Sequence, residues 1–330
     1  MSRISVLVKP DGVNRILDPE ALKFLQQLGE MKMWDGETNP RDFSASSHAI
    51  LTSWGSPKID LSFLEISPEL RFISHAAGSI KPYVDVELLK KGVRVSSASN
   101  ILGRNVAITT LGLILTSVKR VWEWNKYLCK GDTWKDNQEL VGLTDELGGK
   151  TVGVIAASQV GRNLIGFLKI FTTKILVYDP YTDEEKIKQL EGQKVDSLLE
   201  FASRCDIIAL CAPLTQETRG MLNEEFFQGM KDGAIFVNTA RGAILDENAL
   251  IGELRKERLF ACLDVTEPEP PSPDSPLRKL ENVLLTPHIA GCMNSGLKEV
   301  GRFAVQEIAR FIKNEPLVNE IKWQVLDILG

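Results

Sequence analysis

Residues 150–181 read KTVGVIAASQVGRNLIGFLKIFTTKILVYDPY, and this stretch constrains the fold more than any other. A short apolar run at 151–155 predicts a strand. The small residues Ala156, Ala157 and Ser158 predict a tight turn. Val160, Leu164, Phe167, Leu168 and Phe171 then recur at spacings of three and four, the single buried stripe of an amphipathic helix. A second apolar run at 175–178 ends in Asp179. Strand, turn, helix, strand and terminal acid within about 30 residues form the βαβ unit that cradles a dinucleotide.

The turn departs from the glycine-rich fingerprint. Glycines would stand at 156, 158 and 161; here the residues are Ala156, Ser158 and Gly161. The surviving glycine permits close packing of helix on sheet, whereas the two missing ones would form the turn and admit the pyrophosphate. Ser158 could donate its hydroxyl to a phosphate or crowd it. The helix start, with Gln159 and Val160, still offers N–H groups to an anion. Asp179 stands where a carboxylate meets a ribose 2′-hydroxyl and disfavours a 2′-phosphate. An ordinary βαβ unit with an acid at a strand end is the plainer alternative.

A length of 330 residues accommodates two domains of ordinary size. The net charge of −5 supplies no electrostatic footprint for nucleic acid or an anionic membrane, so neither partner is expected. Five cysteines without a C-x-x-C pair suggest buried thiols in a reducing compartment, and no metal site. The N-terminus reads as a strand without a secretory segment, and no run of about 18 apolar residues suggests a membrane span. A cytoplasmic location is the resulting expectation.

Within residues 1–100, strand-like runs at 4–8, 49–54, 71–77 and 93–98 alternate with helix-like runs at 19–28, 61–65 and 84–91. This pattern implies a parallel sheet covered on both faces. A long helix is expected over 105–125, apolar through most of its length and buried on more than one face. From Thr151 onward six strands are expected, the number of a full dinucleotide-binding sheet. A last helix at 295–314 precedes a tail that returns to the N-terminal layer. The expected architecture is therefore discontinuous: a Rossmann-type doubly wound parallel sheet at 104–292, inserted in a smaller α/β domain made of 1–103 and 293–330.

Three polar residues follow apolar strands of the inserted domain: Arg241 after AIFVNTA, Glu269 after CLDVTEP and His288 after VLLTP. Ligands of open parallel sheets bind beyond the carboxyl ends of strands, so one cation, one acid and one imidazole are delivered to one rim. Glu267 competes with Glu269 for the acid role.

GAIFVNTARGAILDENALIGEL, CLDVTEPEPP and LLTPHIAG resemble the signature segments of the D-isomer-specific 2-hydroxyacid dehydrogenases, as do YDPY, CAPLTQETRGMLN, AAGS and SASN. The resemblance implies NAD as cofactor, a flavodoxin-like substrate domain, and a homodimer formed through the nucleotide-binding domain. It implies that Arg241 binds the carboxylate and carbonyl of a small 2-oxo or 2-hydroxy acid. His288 would be the acid/base and Glu269, five residues after Asp264, its partner. Ser158, Gln159, Val160, Gly161, Asp179, Ala212, Thr239, Asp264 and Gly291 would contact the cofactor, with Asp264 at the nicotinamide amide. Gly78, Ser79 and Asn100 would contact the substrate. The family's glycine after Ser79 is replaced by Ile80, and an acid in the following helix by Ile108. His48 and His75 read as structural, with a minor substrate role open for His75. The chemistry suits the trio: reducing a 2-oxo acid requires a cation and a proton donor at the carbonyl oxygen. A sensor of NAD(H) that binds protein partners is the competing reading.

Overall fold

Short strands of Val, Ile, Leu and Phe flanked by amphipathic helices can bury their side chains only as sheets covered on both faces. The computed structural model describes residues 2–131, 133–135, 137–171 and 173–328. It has two such sheets in two compact units, Met1–Gly103 with Cys292–Gly330, and Arg104–Gly291.

In the first unit, β1 (Ser2–Val6), β2 (Gly29–Met33), β3 (Ala49–Thr52), β4 (Phe72–His75) and β5 (Arg94–Ser97) form a parallel sheet in the order 2-1-3-4-5. This is the flavodoxin-like order. The strand Glu320–Ile321 adds an antiparallel edge beside β5, so the C-terminal tail does return to this sheet. β2 escapes a hydropathy reading because its sequence, GEMKM, is half polar. The helix Ser295–Ile312 packs on this sheet through Val300, Ala304 and Ile308. Its Glu307 is fully buried and accepts the Val318 and Asn319 N–H groups, which anchors the tail.

In the second unit, β6 (Thr151–Ile155), β7 (Lys174–Tyr178), β8 (Gln193–Lys194), β9 (Ile207–Leu210), β10 (Ile235–Asn238), β11 (Phe260–Leu263) and β12 (Val283–Leu285) are all parallel. Their order, 8-7-6-9-10-11-12, is the doubly wound Rossmann arrangement with one strand beyond the six expected. The extra strand, β8, has two residues, too few to show alternation. Side chains alternate along β6: Val152 and Val154 enter one apolar layer with Leu164 and Leu168, and Ile155 enters the other with Phe201 and Phe236. Gly153 belongs to the Phe201 side, where a Cβ would lie 2.5 Å from that ring.

The helix expected at 105–125 is two helices. Ser99–Val118 ends before Arg120, which is left-handed (φ 51°), and Val121–Cys129 follows. By length and mean hydropathy, 1.5, Ser99–Val118 meets a test for membrane spans that core helices also pass, although Arg104 and its Asn, Ser and Thr residues keep it from being a continuous apolar run. Its hydroxyl residues hide the signal in a residue-by-residue count. Thr110 and Thr116 return their hydroxyls to the carbonyls of Val106 and Gly112, satisfying them within the helix. One third of the apolar window is buried, fewer faces than the sequence suggests.

The approach of Ser295–Ile312 to the helix Pro10–Ile16 depends on Gly301, where a Cβ would lie 1.9 Å from the Ile16 carbonyl oxygen. Gly301→Ala is expected to destabilise the fold by about 2–3 kcal/mol, read from the midpoint of urea unfolding. An unchanged midpoint would refute the close-approach argument.

Candidate active site

The phosphate turn is built without its first two glycines. Ala156, directly after β6, takes a left-handed conformation (φ 75°), which strains an alanine and suits a glycine. Gly161 is indispensable, because a Cβ there would lie 2.0 Å from the Ala156 carbonyl oxygen. Ser158 caps the helix Gln159–Leu168, accepting the Gly161 N–H at 3.3 Å and donating its hydroxyl to the Cys211 carbonyl at 2.8 Å. Its proton is thus committed within the protein. The first-turn N–H groups of Gln159 and Val160 have no intrahelical acceptor and suit an anion.

Asp179 is 6% exposed and accepts four hydrogen bonds. One oxygen takes the N–H groups of Tyr181 and Thr182; the other takes the Ala157 N–H and the Thr182 hydroxyl. All four lone-pair directions are in use, so the carboxylate braces the turn instead of standing free for a ribose hydroxyl. Ala212 and Thr239 are also buried, and the Thr239 hydroxyl pairs with that of Thr110 at 2.7 Å.

β10, β11 and β12 are neighbours in register, with Asn238, Leu263 and Leu285 side by side, so the segments after them leave the same sheet edge. After β10, the Asn238 side chain accepts the Ala240 N–H and donates to the Arg241 carbonyl, setting the turn that presents Arg241. The guanidinium is exposed and donates to the Ala240 carbonyl at 2.6 Å.

After β11, Asp264 is 1% exposed and organises the next loop. Its carboxylate accepts the Thr286 hydroxyl at 2.6 Å and the N–H groups of Ile289 and Ala290, both at 2.9 Å. Its carbonyl accepts the His288 N–H at 2.9 Å. These bonds hold His288 in a left-handed conformation (φ 53°), strain that persists because its surroundings over-determine it. The role carried by resemblance put Asp264 at the nicotinamide amide; the hydrogen bonds of its carboxylate all go to the 286–290 turn, two on Oδ1 and one on Oδ2, while its N–H donates to the Asn238 carbonyl.

The His288 imidazole meets Glu269, Nδ1 to Oε1 at 2.5 Å, with the two side chains 46% and 40% exposed. The imidazole's carboxylate partner is thus Glu269 and not Glu267, whose backbone N–H donates to the Glu247 carboxylate. Gly291 follows this turn at the end of the second unit.

In the first unit, Gly78 and Ser79 follow β4. Ile80 is 3% exposed in an apolar cluster with Ile50 and Ile73, so this loop is anchored by a core side chain where the family often has glycine. The Asn100 Oδ1 is buried without a hydrogen-bond partner. His75, at the end of β4, is fully buried; its Nδ1 lies 2.9 Å from the Thr52 hydroxyl and Tyr83 covers the ring at 4.7 Å. Among the described residues no cluster of potential metal ligands occurs. Sequence reasoning overlooked the bracing roles of Asn238 and Glu247. Asn238 could have been found as a polar residue ending an apolar strand; Glu247, on a half-polar helix, carries no such signal.

Residues 111–290 match the D-isomer specific 2-hydroxyacid dehydrogenase, NAD binding domain. The chain belongs to this family. A glyoxylate reductase from Thermofilum pendens is 34% identical over 92% of this chain and 91% of its own length. A D-3-phosphoglycerate dehydrogenase from Methanocaldococcus jannaschii is 32% identical over 92% of this chain, which spans only 58% of that protein. D-mandelate dehydrogenase from Rhodotorula graminis, in its apo form, shares the fold with a TM-score of 0.81 at 24% identity, each chain 97% covered. NAD is the cofactor of the matched domain, and the residues present fit it: the Gly161 cradle and the open helix start survive the loss of two glycines.

Burial lowers the pKa of His75 from 6.5 to about 4, so the folded chain keeps the ring neutral. Below the unfolded value the unfolded chain takes up a proton that the folded chain refuses, and stability falls with pH. The expected loss is about 2 kcal/mol between pH 7 and pH 5. Urea unfolding at both pH values measures it, and His75→Gln, which keeps an acceptor for Thr52, should flatten the slope. An equal slope in wild type and variant would refute the assignment.

Proposed function

We propose that this chain is an NAD-dependent reductase of small 2-oxo acids, working in reverse as a D-2-hydroxyacid dehydrogenase. The observation that carries the reading is the 2.5 Å contact between His288 Nδ1 and Glu269, on the sheet edge that also presents Arg241. With Nδ1 engaged, Nε2 is the ring nitrogen left to face a substrate. In reduction, His288 gives a proton from Nε2 to the carbonyl oxygen; in oxidation it takes the hydroxyl proton back. Glu269 orients the ring through its contact with Nδ1. Arg241 receives the substrate carboxylate in its planar fork and supports negative charge on the carbonyl oxygen. When bound, NAD(H) exchanges the hydride. Ser158, Gln159, Val160, Gly161, Ala212, Thr239, Asp264 and Gly291 are assigned to the cofactor, and Gly78, Ser79 and Asn100 to the substrate, by resemblance.

The same proposal includes a cytoplasmic homodimer without nucleic-acid or membrane partners. Its support is the free state of all five cysteines and the exposed apolar side chains of the nucleotide-binding unit, among them Ile108, Val121 and Leu128. A second reading, an NAD(H) sensor with little turnover, is favoured by the strained Ala156 and the fully engaged Asp179.

Titration of NADH and NADPH against the fluorescence of the six tryptophans, with a panel of 2-oxo acids, separates the two readings. NADH binding with turnover is expected. His288→Ala should lower kcat by about 10²–10⁴-fold and Arg241→Ala kcat/KM by about 10²–10³-fold, both with NADH affinity retained. Binding without turnover on the whole panel would favour the sensor.

A further inference from the structure

The segment that presents Glu269 is held from behind. Glu247 opens the helix Glu247–Arg255, and its Oε2 accepts the Glu267 N–H at 3.1 Å. Its carboxyl is half-buried, and that burial raises its pKa. Gly242 also packs closely on the same segment: a Cβ there would lie 2.1 Å from the Thr266 carbonyl carbon and 2.7 Å from the Glu267 nitrogen. Within the segment the Thr266 hydroxyl donates to the Pro268 carbonyl at 2.8 Å. Three constraints therefore converge on 266–268, immediately before Glu269.

Glu269 itself has little to hold it. Its side chain is 40% exposed, and among the described residues its one hydrogen bond is to His288. Its position is therefore set by the segment before it, and the imidazole's orientation by its position. Gly242 and the Thr266 hydroxyl restrict the segment sterically and internally. Glu247 alone among the three ties it to another element through a directed bond. A carboxylate half-removed from water and beside the like-charged Glu267 is a costly choice for that site unless its acceptor oxygen is needed.

We propose that Glu247 is a positioning residue for the Glu269–His288 pair, its carboxyl oxygen setting the 266–268 segment and thereby the orientation of the imidazole. The role attributed to that orientation rests on His288 being the acid/base.

The test uses the full chain with Glu247→Leu, which keeps the volume and removes the acceptor, Glu247→Ala as a smaller alternative, and Glu247→Gln, which keeps an acceptor oxygen without charge. Two quantities are read: the ¹⁵N shift of His288 Nδ1 in long-range H–N correlation spectra, assigned with His288→Gln, and kcat with the best 2-oxo acid. The Leu and Ala variants should move the Nδ1 shift and lower kcat about tenfold, with NADH affinity within about twofold of wild type. The Gln variant should restore both. An unmoved Nδ1 shift in the Leu and Ala variants, or a Gln variant that behaves as they do, would overturn the proposal. Should no 2-oxo acid be turned over, the catalytic reading fails by itself, and the Nδ1 shift still decides the role of Glu247.

Discussion

The buried carboxylate of Asp264 is the interaction on which the shape of the candidate site's edge depends. An acid with 1% exposure just after an interior strand is tolerable only when its oxygens are hydrogen-bonded. Three of its four lone-pair directions are taken by the very turn that carries His288. Four bonds to the 286–290 turn, one through the Asp264 carbonyl, outweigh the roughly 1 kcal/mol that a left-handed histidine costs. The turn's shape comes from Asp264, and the ring's direction from Glu269. One interaction lies in the core and is insulated from solvent; the other lies at the surface, with both side chains partly exposed.

The nucleotide turn follows a different logic. Losing two glycines removes conformational freedom, and the chain compensates with side-chain hydrogen bonds. Ser158 caps the helix and reaches across to β9's end at Cys211; Asp179 draws Ala157, Tyr181 and Thr182 together. Ala156 still takes the positive φ that a glycine would supply, so the turn keeps its path while storing strain. Gly161 cannot be compensated in this way, since the obstacle is a backbone oxygen at 2.0 Å and no hydrogen bond relieves a clash. That difference explains why one glycine of the fingerprint remains and two do not.

Much of the fold was legible before any coordinates. Apolar runs placed ten of the strands because buried parallel strands are almost continuously hydrophobic. The missed ones, GEMKM, the two-residue β8 and the tail strand Glu320–Ile321, lack that signature and are recruited by edge pairing. The apolar character of 105–125 did not reveal its break, because a left-handed Arg120 is stabilised by its stacking on Phe260, 3.8 Å away, a contact between residues 140 positions apart in sequence.

By itself the sequence determined the two-sheet α/β architecture, the family, and the identities of Arg241, Glu269 and His288 as candidates. The architecture follows from local periodicity, and the family and the three candidates from segments that resemble the family's signatures; a linear chain displays both. Only the tertiary structure decided that Glu269 and not Glu267 meets the imidazole, that Asp179 and Asp264 serve as braces, and that Glu247 stands behind the acid. Each is a question of which hydrogen-bond acceptor a given N–H finds, and that depends on distances between strand ends fixed by packing of the whole sheet, not by neighbours along the chain.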